Sequence, residues 1–524
     1  MLRCYYYNVV WCAFGCSFIG NVFYLVLQIK AGKFELKKLQ NLKVTKELVL
    51  ALDPLLEDVY ANRRPKPKDY EVRRELVCVF NKIAEEIYGD LLNLFGRTKN
   101  IPVVVEFGSF VMDLFSTSSD LDLSVNFRGT SDPFPREKKI QTLRKFARKL
   151  YALQSIGHVY GVLPITTAKV PILKCVDRGT GVECDISVEN RDGVLKSEII
   201  HIISSIDERF HKLSFLMKIW AKAHNINSSK DKTLNSLSII LLVAFHLQTR
   251  EPPILPPFSC MFKDGTEPEK LVESVHKFAN YGKRNKESLS ELFITLLFKL
   301  SSVEKLWPKG LCASPCSGSW TSKTWDSKVT CMSVEDFTDP SQNVARAVGP
   351  TEVKRIYKCI NLSIRHVLAF IDGKIGGEEV KELLFGQEGA QFSRRGHNNK
   401  PANLKWAGKR KKRRFEEKSM VEQRKKARMS SANTKNDAQG TIEEPYCGDT
   451  VKRVKTGGGW EELAKRAKTG GGWEESGGGC WGGKAEDDAE KQGWGGECLG
   501  CGRWCFVFTL LPVLTLLYYE WLAM

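Results

Sequence analysis

Charge is missing from both ends of this 524-residue chain. Residues 4–29 carry no charged side chain, and residues 504–519 form a shorter uncharged run interrupted by Pro512. The first run is long enough to be a transmembrane helix or a signal peptide. If it spans a membrane, the lysines that follow it would keep the rest of the chain in the cytosol; these are Lys30, Lys33, Lys37 and Lys38. The other alternative is that both hydrophobic ends are foreign to the natural folded product.

The sequence also lacks the cysteine pattern of a disulfide scaffold. Sixteen cysteines are spread over 524 residues, which is too sparse for a small stapled domain. Those in apolar surroundings are expected to be buried, reduced thiols of an intracellular protein; they are Cys78, Cys175, Cys184, Cys260 and Cys359. Cys498, Cys501 and Cys505 could supply half of a zinc site, but no second half with suitable spacing follows. We therefore expect no zinc.

Apolar periodicity is absent beyond about residue 376, where the chain becomes polar and glycine-rich. Such composition is typical of disordered segments. The net charge of +18 is concentrated here, because residues 394–428 hold 15 Lys and Arg against three Glu, or +12. The clusters at 409–414 and 424–428 indicate a two-part nuclear import signal or an RNA-binding arm, with a solvated charge run as the alternative.

What the sequence does contain is a strand followed by a Gly-Ser turn. Val103-Val104-Val105 is an apolar run typical of a short buried strand, and Phe107-Gly108-Ser109 follows it. Glycine at 108 allows a tight turn and a close approach to a ligand. The stretch 110–115 predicts a short helix, which would place Ser109 at a helix N-terminus that favours phosphate.

Three aspartates follow on strand-like segments. Asp120 and Asp122 alternate with leucines, so their carboxylates are expected on one face of a strand, and Asp185 lies in a second run at 182–188. A lone Asp-x-Asp is more typical of a solvated strand edge. Together with the Gly-Ser turn upstream and Asp185 downstream, it favours a metal-dependent nucleotidyltransferase, because hard carboxylate oxygens and substrate phosphates hold Mg²⁺.

Four segments in this order, 107–125, 169–190, 216–227 and 335–348, resemble the terminal RNA nucleotidyltransferases. This family of the DNA polymerase β-like superfamily includes cytoplasmic-type poly(A) polymerases and terminal uridylyltransferases, and the plant members that uridylate small RNAs are the most similar. The resemblance covers about residues 40–375. It implies an α+β fold: a small mixed-sheet polymerase β-like nucleotidyltransferase domain, a helical poly(A) polymerase-associated domain and a disordered C-terminal tail.

The resemblance also implies site residues. Asp120, Asp122 and Asp185 would be catalytic and bind two Mg²⁺ (or Mn²⁺) ions, with Asp185 nearest the incoming 3′-hydroxyl. The nucleotide-binding residues it implies are Gly108, Ser109, Asn190, Lys218, Lys222, Ser236, Leu237, Glu335, Asp336, Gln342 and Asn343.

Three positions depart from the family pattern. Leu237 stands where a base-stacking tyrosine is usual, Lys196 replaces a second asparagine, and Gln342 replaces a histidine that disfavours adenine in some uridylyltransferases. All three belong to the base and sugar pocket, so the chemistry is better supported than the choice of nucleotide.

The pattern predicts the following organisation. The segments are a hydrophobic N-terminal piece (1–39), a helix packing on the centre (40–66), the catalytic domain (67–205), the helical domain (206–375), a basic then Gly/Trp-repeat tail (376–503) and a hydrophobic C-terminal piece (504–524). Helices are expected at 44–61, 69–95, 136–154, 199–226, 234–249, 267–301 and 350–372. Besides those at 103–105 and 121–125, strands are expected at 158–163, 169–176 and 182–188.

The tail contains a repeat in which tryptophan follows a glycine run. Its tryptophans are Trp460, Trp473, Trp481 and Trp494. Tryptophan in such a stretch has no core to enter, so its apolar surface is available to a partner. The repeats resemble the Argonaute-binding hooks of RNA-silencing proteins, with low-complexity filler as the alternative.

The expected reaction is template-independent addition of nucleotides to RNA 3′ ends, with UTP favoured over ATP. A poly(A) polymerase is the first alternative, and a catalytically inactive scaffold that binds RNA and Argonaute is the second. A secretory destination conflicts with Mg²⁺/nucleotide chemistry and with the basic tail, so we expect the nucleus, the cytoplasm or both, with attachment to a membrane left open.

Overall fold

The computed structural model describes residues 25–40, 49–89, 101–128, 134–323, 325 and 331–386. The four tail tryptophans, the basic clusters and residues 504–524 lie outside these ranges.

The part of the chain from residue 103 to residue 188 contains a five-stranded sheet with the order β1-β2-β5-β4-β3. The strands are β1 (Val103–Phe107), β2 (Leu121–Asn126), β3 (Val159–Ile165), β4 (Ile172–Asp177) and β5 (Glu183–Val188). β2 and β5 pair in parallel, whereas the other three strand pairs are antiparallel. This mixed sheet confirms the predicted nucleotidyltransferase architecture.

One face of the sheet packs on two helices, α3 (Pro67–Gly89) and α4 (Arg136–Ser155). Leu121 and Leu123 of β2 and Cys184 and Ile186 of β5 are fully buried in the core shared with these helices. Because side chains alternate along a strand, the residues between them face the other way. The carboxylates at 120, 122 and 185 therefore lie on the open face.

A helical domain with its own core covers the region after β5. Its α-helices are α5 (Arg191–Ile203), α6 (Glu208–Ala223), α7 (Ser236–Gln248), α8 (Phe258–Met261), α9 (Pro268–His276), α10 (Leu289–Ser302), α11 (Pro350–Ile371) and α12 (Gly377–Phe385), and α2 (Asp53–Arg63) packs with them. A hairpin of β6 (Leu311–Ser314) and β7 (Ser319–Ser322) completes it. Every residue of α7 from Ser238 to Gln248 is buried, so this helix runs through the centre of the core.

The uncharged N-terminal run ends inside a helix, α1, over residues 25–40. Leu27 and Ala31 are buried in the core of the helical domain, and Glu35 forms an ion pair with Lys299 of α10 at 3.0 Å. Among the described residues, no helix combines the length and apolarity needed to cross a bilayer. Residues 25–39, predicted to belong to a separate hydrophobic piece, thus pack on the helical domain.

Several predicted boundaries were wrong. Residues 108–113 form a turn instead of opening a helix at 110, and the single helix expected at 199–226 is two helices, α5 and α6. The run at 267–301 is also divided, into α9 and α10. Helix α12 lies beyond residue 376, where disorder was expected, and it buries Val380 and Leu384. Apolar spacing shows that a segment is helical but not where a short break allows the chain to turn.

Candidate active site

The Gly-Ser turn brings the end of β1 against Asp122. Gly108 has φ +70°, and a Cβ atom at this position would lie 2.2 Å from Oδ2 of Asp122. Its N–H donates to Oγ of Ser197 on α5 at 2.7 Å. The turn then continues with a hydrogen bond from Leu114 N–H to the Ser109 carbonyl. Ser109 therefore lies in a non-helical turn, and the helix N-terminus predicted for it was wrong.

Strand register brings two of the three carboxylates together. Asp122 and Asp185 are Cα partners in the parallel pair β2–β5, so their side chains leave the same face of the sheet side by side. Asp120 lies just before β2 on the same face. Residues 63 positions apart in sequence thus become neighbours because two buried strands pair in this register.

The electrostatics of this cluster are those of crowded carboxylates. Burial, together with the charges of Asp185 and Asp120, raises the pKa of Asp122 to about 7. Burial also raises the pKa of Asp185, against the opposing effect of Lys174. Burial and the neighbouring carboxylates thus disfavour the charged form of Asp122, and Lys218 and Lys174 oppose this effect.

Lys174 of β4 is the cation nearest to Asp185, and the sequence analysis did not single it out. It is the Cα partner of Asp185 across β4–β5, and its Nζ donates to both Asp185 carboxylate oxygens at 2.6 Å. The same Nζ lies 3.7 Å from Oδ2 of Asp120. Burial would lower the pKa of Lys174, but its hydrogen bond and charge interaction with Asp185 raise it overall. Register with Asp185 was the signal that could have identified it.

Within the described ranges, no group of three or more His, Cys, Asp or Glu side chains has the arrangement of a metal site. In this structure the Lys174 ammonium pairs with the carboxylates. The donor set nevertheless fits Mg²⁺ or Mn²⁺, because it consists of hard carboxylate oxygens and because strand register sets Asp122 beside Asp185. Asp120, Asp122 and Asp185 would be the ligands.

Two lysines of α6 face the segment that leads into β2. Lys218 is 4% exposed and its Nζ donates to the Leu114 carbonyl, while Lys222 donates to Oγ of Ser119 at 3.1 Å. Burial, then the neighbouring Lys222, lowers the pKa of Lys218 to about 7. Burial also lowers the pKa of Lys222. Both cations are held beside Asp120 and Asp122 at a desolvation cost that a bound anion would offset.

Ser236 begins α7 and shares weak hydrogen bonds with Asn227, at 3.3 and 3.4 Å between side-chain atoms. Its neighbour Asn235 caps the same helix and donates to the Val344 carbonyl at 2.8 Å. This links the start of α7 to the loop that follows Asp336.

A cavity of 470 Å³ opens beside the carboxylates, between β1, α5, α7 and the 335–348 segment. The predicted residues that line it are Gly108, Leu237, Asp336 and Gln342. Lys196, which departs from the family pattern, lines it as well. The three atypical positions 196, 237 and 342 thus meet in one cavity.

The Lys196 side chain is fixed from two sides. Its Nζ lies 2.6 Å from Oδ2 of Asp336 and 2.8 Å from Oδ2 of Asp192. Lys196 and Asp336 are both buried, at 8% and 6% exposure. Asp336 in turn accepts from the Thr338 N–H and hydroxyl through its other oxygen.

Asn343, Glu335 and Asn190, three of the predicted nucleotide-binding residues that do not line this cavity, have partners within the protein. Asn343 is buried and bonds the backbone of Met332, Val334 and Ala345. Glu335 accepts from the Ser314 hydroxyl of β6. Asn190 precedes α5, and its N–H donates to Ser124 Oγ at 3.0 Å. The contacts shown for these residues hold loops in place, and their predicted role in nucleotide binding stays a prediction.

The part of the chain that carries this site is similar to known RNA nucleotidyltransferases. Residues 52–205 match the family model described as "Poly(A) RNA polymerase, mitochondrial-like, central palm domain". The chain is 35% identical to Protein HESO1 of Arabidopsis thaliana over 361 residues, which are 64% of this chain and 68% of that protein. It is 28% identical over 366 residues to human Terminal uridylyltransferase 4, of which it spans 20%.

Among solved structures, the fold is similar to that of mtPAP in complex with UTP. The TM-score is 0.52 at 17% identity, over 65% of this chain and 75% of that one. Likeness at this identity concerns the fold alone.

Proposed function

Because this chain belongs to the terminal RNA nucleotidyltransferases of the DNA polymerase β-like superfamily, we propose that it adds uridylates to RNA 3′ ends without a template. The observation that carries the reaction is the register pair Asp122–Asp185 beside Gly108. It sets two carboxylates on an open sheet face next to a turn whose backbone a triphosphate can approach.

The residues of the site have different roles in this reaction. Lys218, Lys222 and Ser236 bind the triphosphate, and Ser109 in the turn contributes to this binding. Asp185 orients the attacking 3′-hydroxyl and accepts its proton. Divalent metal held by the three aspartates would supply Lewis acidity for the hydroxyl and for the leaving pyrophosphate. Lys174 would have to release Asp185 when the site is loaded.

Lys196 supports uracil as the base. A lysine ammonium has three donors and no acceptor, and two of the donors go to Asp192 and Asp336. The third remains for a ligand in the cavity. Uracil carries the acceptor O4 where adenine carries a donor amino group, so an ammonium that faces this edge of the base bonds uracil and opposes the amino group of adenine. Lys196 therefore favours UTP.

A poly(A) polymerase is the second candidate. Leu237 and Gln342 both line the cavity, and neither supplies the aromatic stacking or the adenine exclusion expected from tyrosine and histidine. The match of residues 52–205 to a poly(A) polymerase palm supports the same candidate.

Purified full-length protein incubated with an RNA oligonucleotide and each labelled NTP tests the reaction and the base together. We expect extension that depends on Mg²⁺ or Mn²⁺ and is several-fold better with UTP than with ATP. The double variant Asp120→Ala/Asp122→Ala should be inactive. Extension that survives in this variant would overturn the assignment of the site, a preference for ATP would establish the poly(A) polymerase, and no extension by the wild type would favour the inactive scaffold.

We further propose that the tail directs the enzyme to small RNAs in the nucleus, the cytoplasm or both. Trp460, Trp473, Trp481 and Trp494 would enter apolar pockets of an Argonaute, and Gly-rich spacers of this kind reach roughly 15–20 Å, enough for two neighbouring tryptophans to bind together. Recovery of Argonaute by the full chain should fall when all four tryptophans are changed to alanine. Equal recovery by both proteins would remove the tryptophans from targeting.

A further inference from the structure

The open face of the sheet extends beyond the carboxylates, across β4 and β3. Strand pairing places Leu163 of β3 opposite Lys174, Lys174 opposite Asp185, and Asp185 opposite Asp122. Residues paired in this way leave the same face of a sheet. Leu163 therefore stands in the row of the catalytic carboxylates, two strands or about 10 Å from Asp185.

This part of the face is apolar and exposed. Leu163 is 55% exposed. Ile165 and Ile172 are Cα partners two residues further along β3 and β4, and both are half-buried. We name Leu163, Ile165 and Ile172 the β3–β4 shelf. Their neighbours Val162 and Leu173 point into the core instead. Leu163 and Ile165 lie on β3, the edge strand of the sheet, where charged residues are the usual protection against strand pairing, and Ile172 lies beside them on β4. Nothing in the described core requires these three aliphatic side chains on the solvent side of the sheet.

The connection between the two strands of the shelf reaches the base cavity. The β3–β4 connection carries Lys169, which is exposed and lines that cavity. Arg136 holds this connection in place, because its guanidinium donates to the carbonyls of Thr166, Ala168 and Lys169 at 2.7 to 2.9 Å. Lys169 and Lys174 thus border the apolar surface with positive charge.

Sheet order decides which substrate can occupy the shelf. Gly108 follows β1, and Lys218 and Lys222 of α6 face the segment that leads into β2, on one side of Asp185, whereas β4 and β3 lie on the other side. An acceptor RNA that presents its 3′-hydroxyl to Asp185 without displacing the incoming nucleoside triphosphate must approach from the side of β4 and β3. Its bases would meet the aliphatic side chains, and its phosphates would meet the bordering lysines.

We propose that the β3–β4 shelf binds the last nucleotides of the acceptor RNA, with Leu163 packing against a base one or two positions from the 3′ end. This rests on the proposed function, because it takes Asp185 as the residue that receives the 3′-hydroxyl. Contact with an aliphatic surface does not discriminate between bases, so the shelf accepts any 3′-terminal sequence.

The test compares full-length wild type with Leu163→Ala and Leu163→Glu, and uses Ile156→Ala as the matched control. Ile156 is 67% exposed and follows α4, on the core side of the same sheet. For each protein, KM is measured for RNA and for UTP, and Kd for a fluorescent RNA is measured by anisotropy without divalent metal.

Leu163→Ala should raise both RNA constants by roughly fivefold, because about one exposed aliphatic contact is lost. Leu163→Glu should raise them further by repelling phosphate, whereas the KM for UTP and the melting temperature stay unchanged. RNA that carries 4-thiouridine one or two positions from its 3′ end should photo-crosslink to the β3 peptide that contains Leu163.

If the Leu163 variants have the same KM and Kd for RNA as Ile156→Ala, the proposal that the β3–β4 shelf binds RNA is wrong. Crosslinks confined to the helical domain would also contradict it. Failure of the wild type to extend any RNA would instead overturn the proposed function, while anisotropy and crosslinking still decide where RNA binds.

Discussion

Lys196 and Asp336 form a buried ion pair at 2.6 Å although 140 residues separate them in sequence. Lys196 comes from the helix that follows β5, and Asp336 from the loop that precedes α11. The pair joins two segments of the cavity wall and fixes the Lys196 ammonium there.

Lys196→Asn restores the residue usual in the family and removes the cavity ammonium. We expect the ratio of kcat/KM for UTP to that for ATP to fall by about tenfold, the scale of one lost polar contact in a specificity site. Stability should fall as well, because Asp336 is left buried without its cation. The double variant Lys196→Asn/Asp336→Asn should regain stability but not selectivity. A wild-type UTP:ATP ratio in Lys196→Asn would contradict the assignment.

Gly108→Ala should abolish nucleotide addition. The new Cβ would lie 2.2 Å from Asp122 Oδ2, and φ +70° is unfavourable for alanine. Displacement of a carboxylate in the site should reduce kcat by about 100-fold or more. Gly157→Ala separates the two effects, because Gly157 also has a positive φ, +87°, but no atom lies within 4 Å of its added Cβ. It should lose about 1 kcal/mol of stability and keep its activity; equal activity in both variants would refute the steric argument.

Lys218→Met should make the protein more stable while weakening triphosphate binding. Burial lowers the pKa of Lys218 from 10.5 to about 7, so between these values the unfolded chain binds more protons than the folded one. The lysine therefore destabilises the fold at pH 7, and the wild type should gain stability as pH rises toward 10. Urea unfolding from pH 7 to 10 should show that Lys218→Met loses this gain, relative to the exposed control Lys230→Met. If the stability of Lys218→Met and that of Lys230→Met depend on pH in the same way, Lys218 is not the lysine with the lowered pKa.

Asp113 anchors the turn that follows Gly108. It forms an ion pair with Arg64 at 3.1 Å and accepts from the Tyr70 hydroxyl, and its carbonyl oxygen lies 2.7 Å from His211 Nε2. Burial would raise the pKa of Asp113, but His211, Tyr70 and Arg64 outweigh it and hold the pKa below its usual value. The contribution to stability is therefore complete above the unfolded-state pKa and is lost as pH falls through the folded-state pKa.

Asp113→Asn should consequently destabilise the protein by about 1–2 kcal/mol at pH 7, and the difference from wild type should shrink toward pH 3. Denaturant unfolding at the two pH values measures this. The exposed control Asp264→Asn should match wild type at both. A difference that grows on acidification would show that Asp113 is not the stabilised carboxylate.

The local features of this protein can be read from its residue pattern. Alternation of Leu121 and Leu123 with Asp120 and Asp122 has a period of two, so it predicts the strand and one common face for the two carboxylates. Residue type also indicated the chemistry, because hard oxygen ligands beside a Gly-Ser turn suit metal and phosphate whatever surrounds them.

Contacts between residues far apart in sequence depend instead on how the strands and helices pack. The pairing of Asp122 with Asp185, and of Lys174 with both Asp185 oxygens, depends on strand register, which is set by packing across the whole sheet. The turn at 108–113 replaced the expected helix because Met112 and Leu114 are buried in the helical core while Phe110 and Phe115 are buried in the sheet core. A continuous helix could not divide its side chains between two cores in this way. Local sequence fixes propensity, whereas such divisions are set by contacts that form only when the two domains pack.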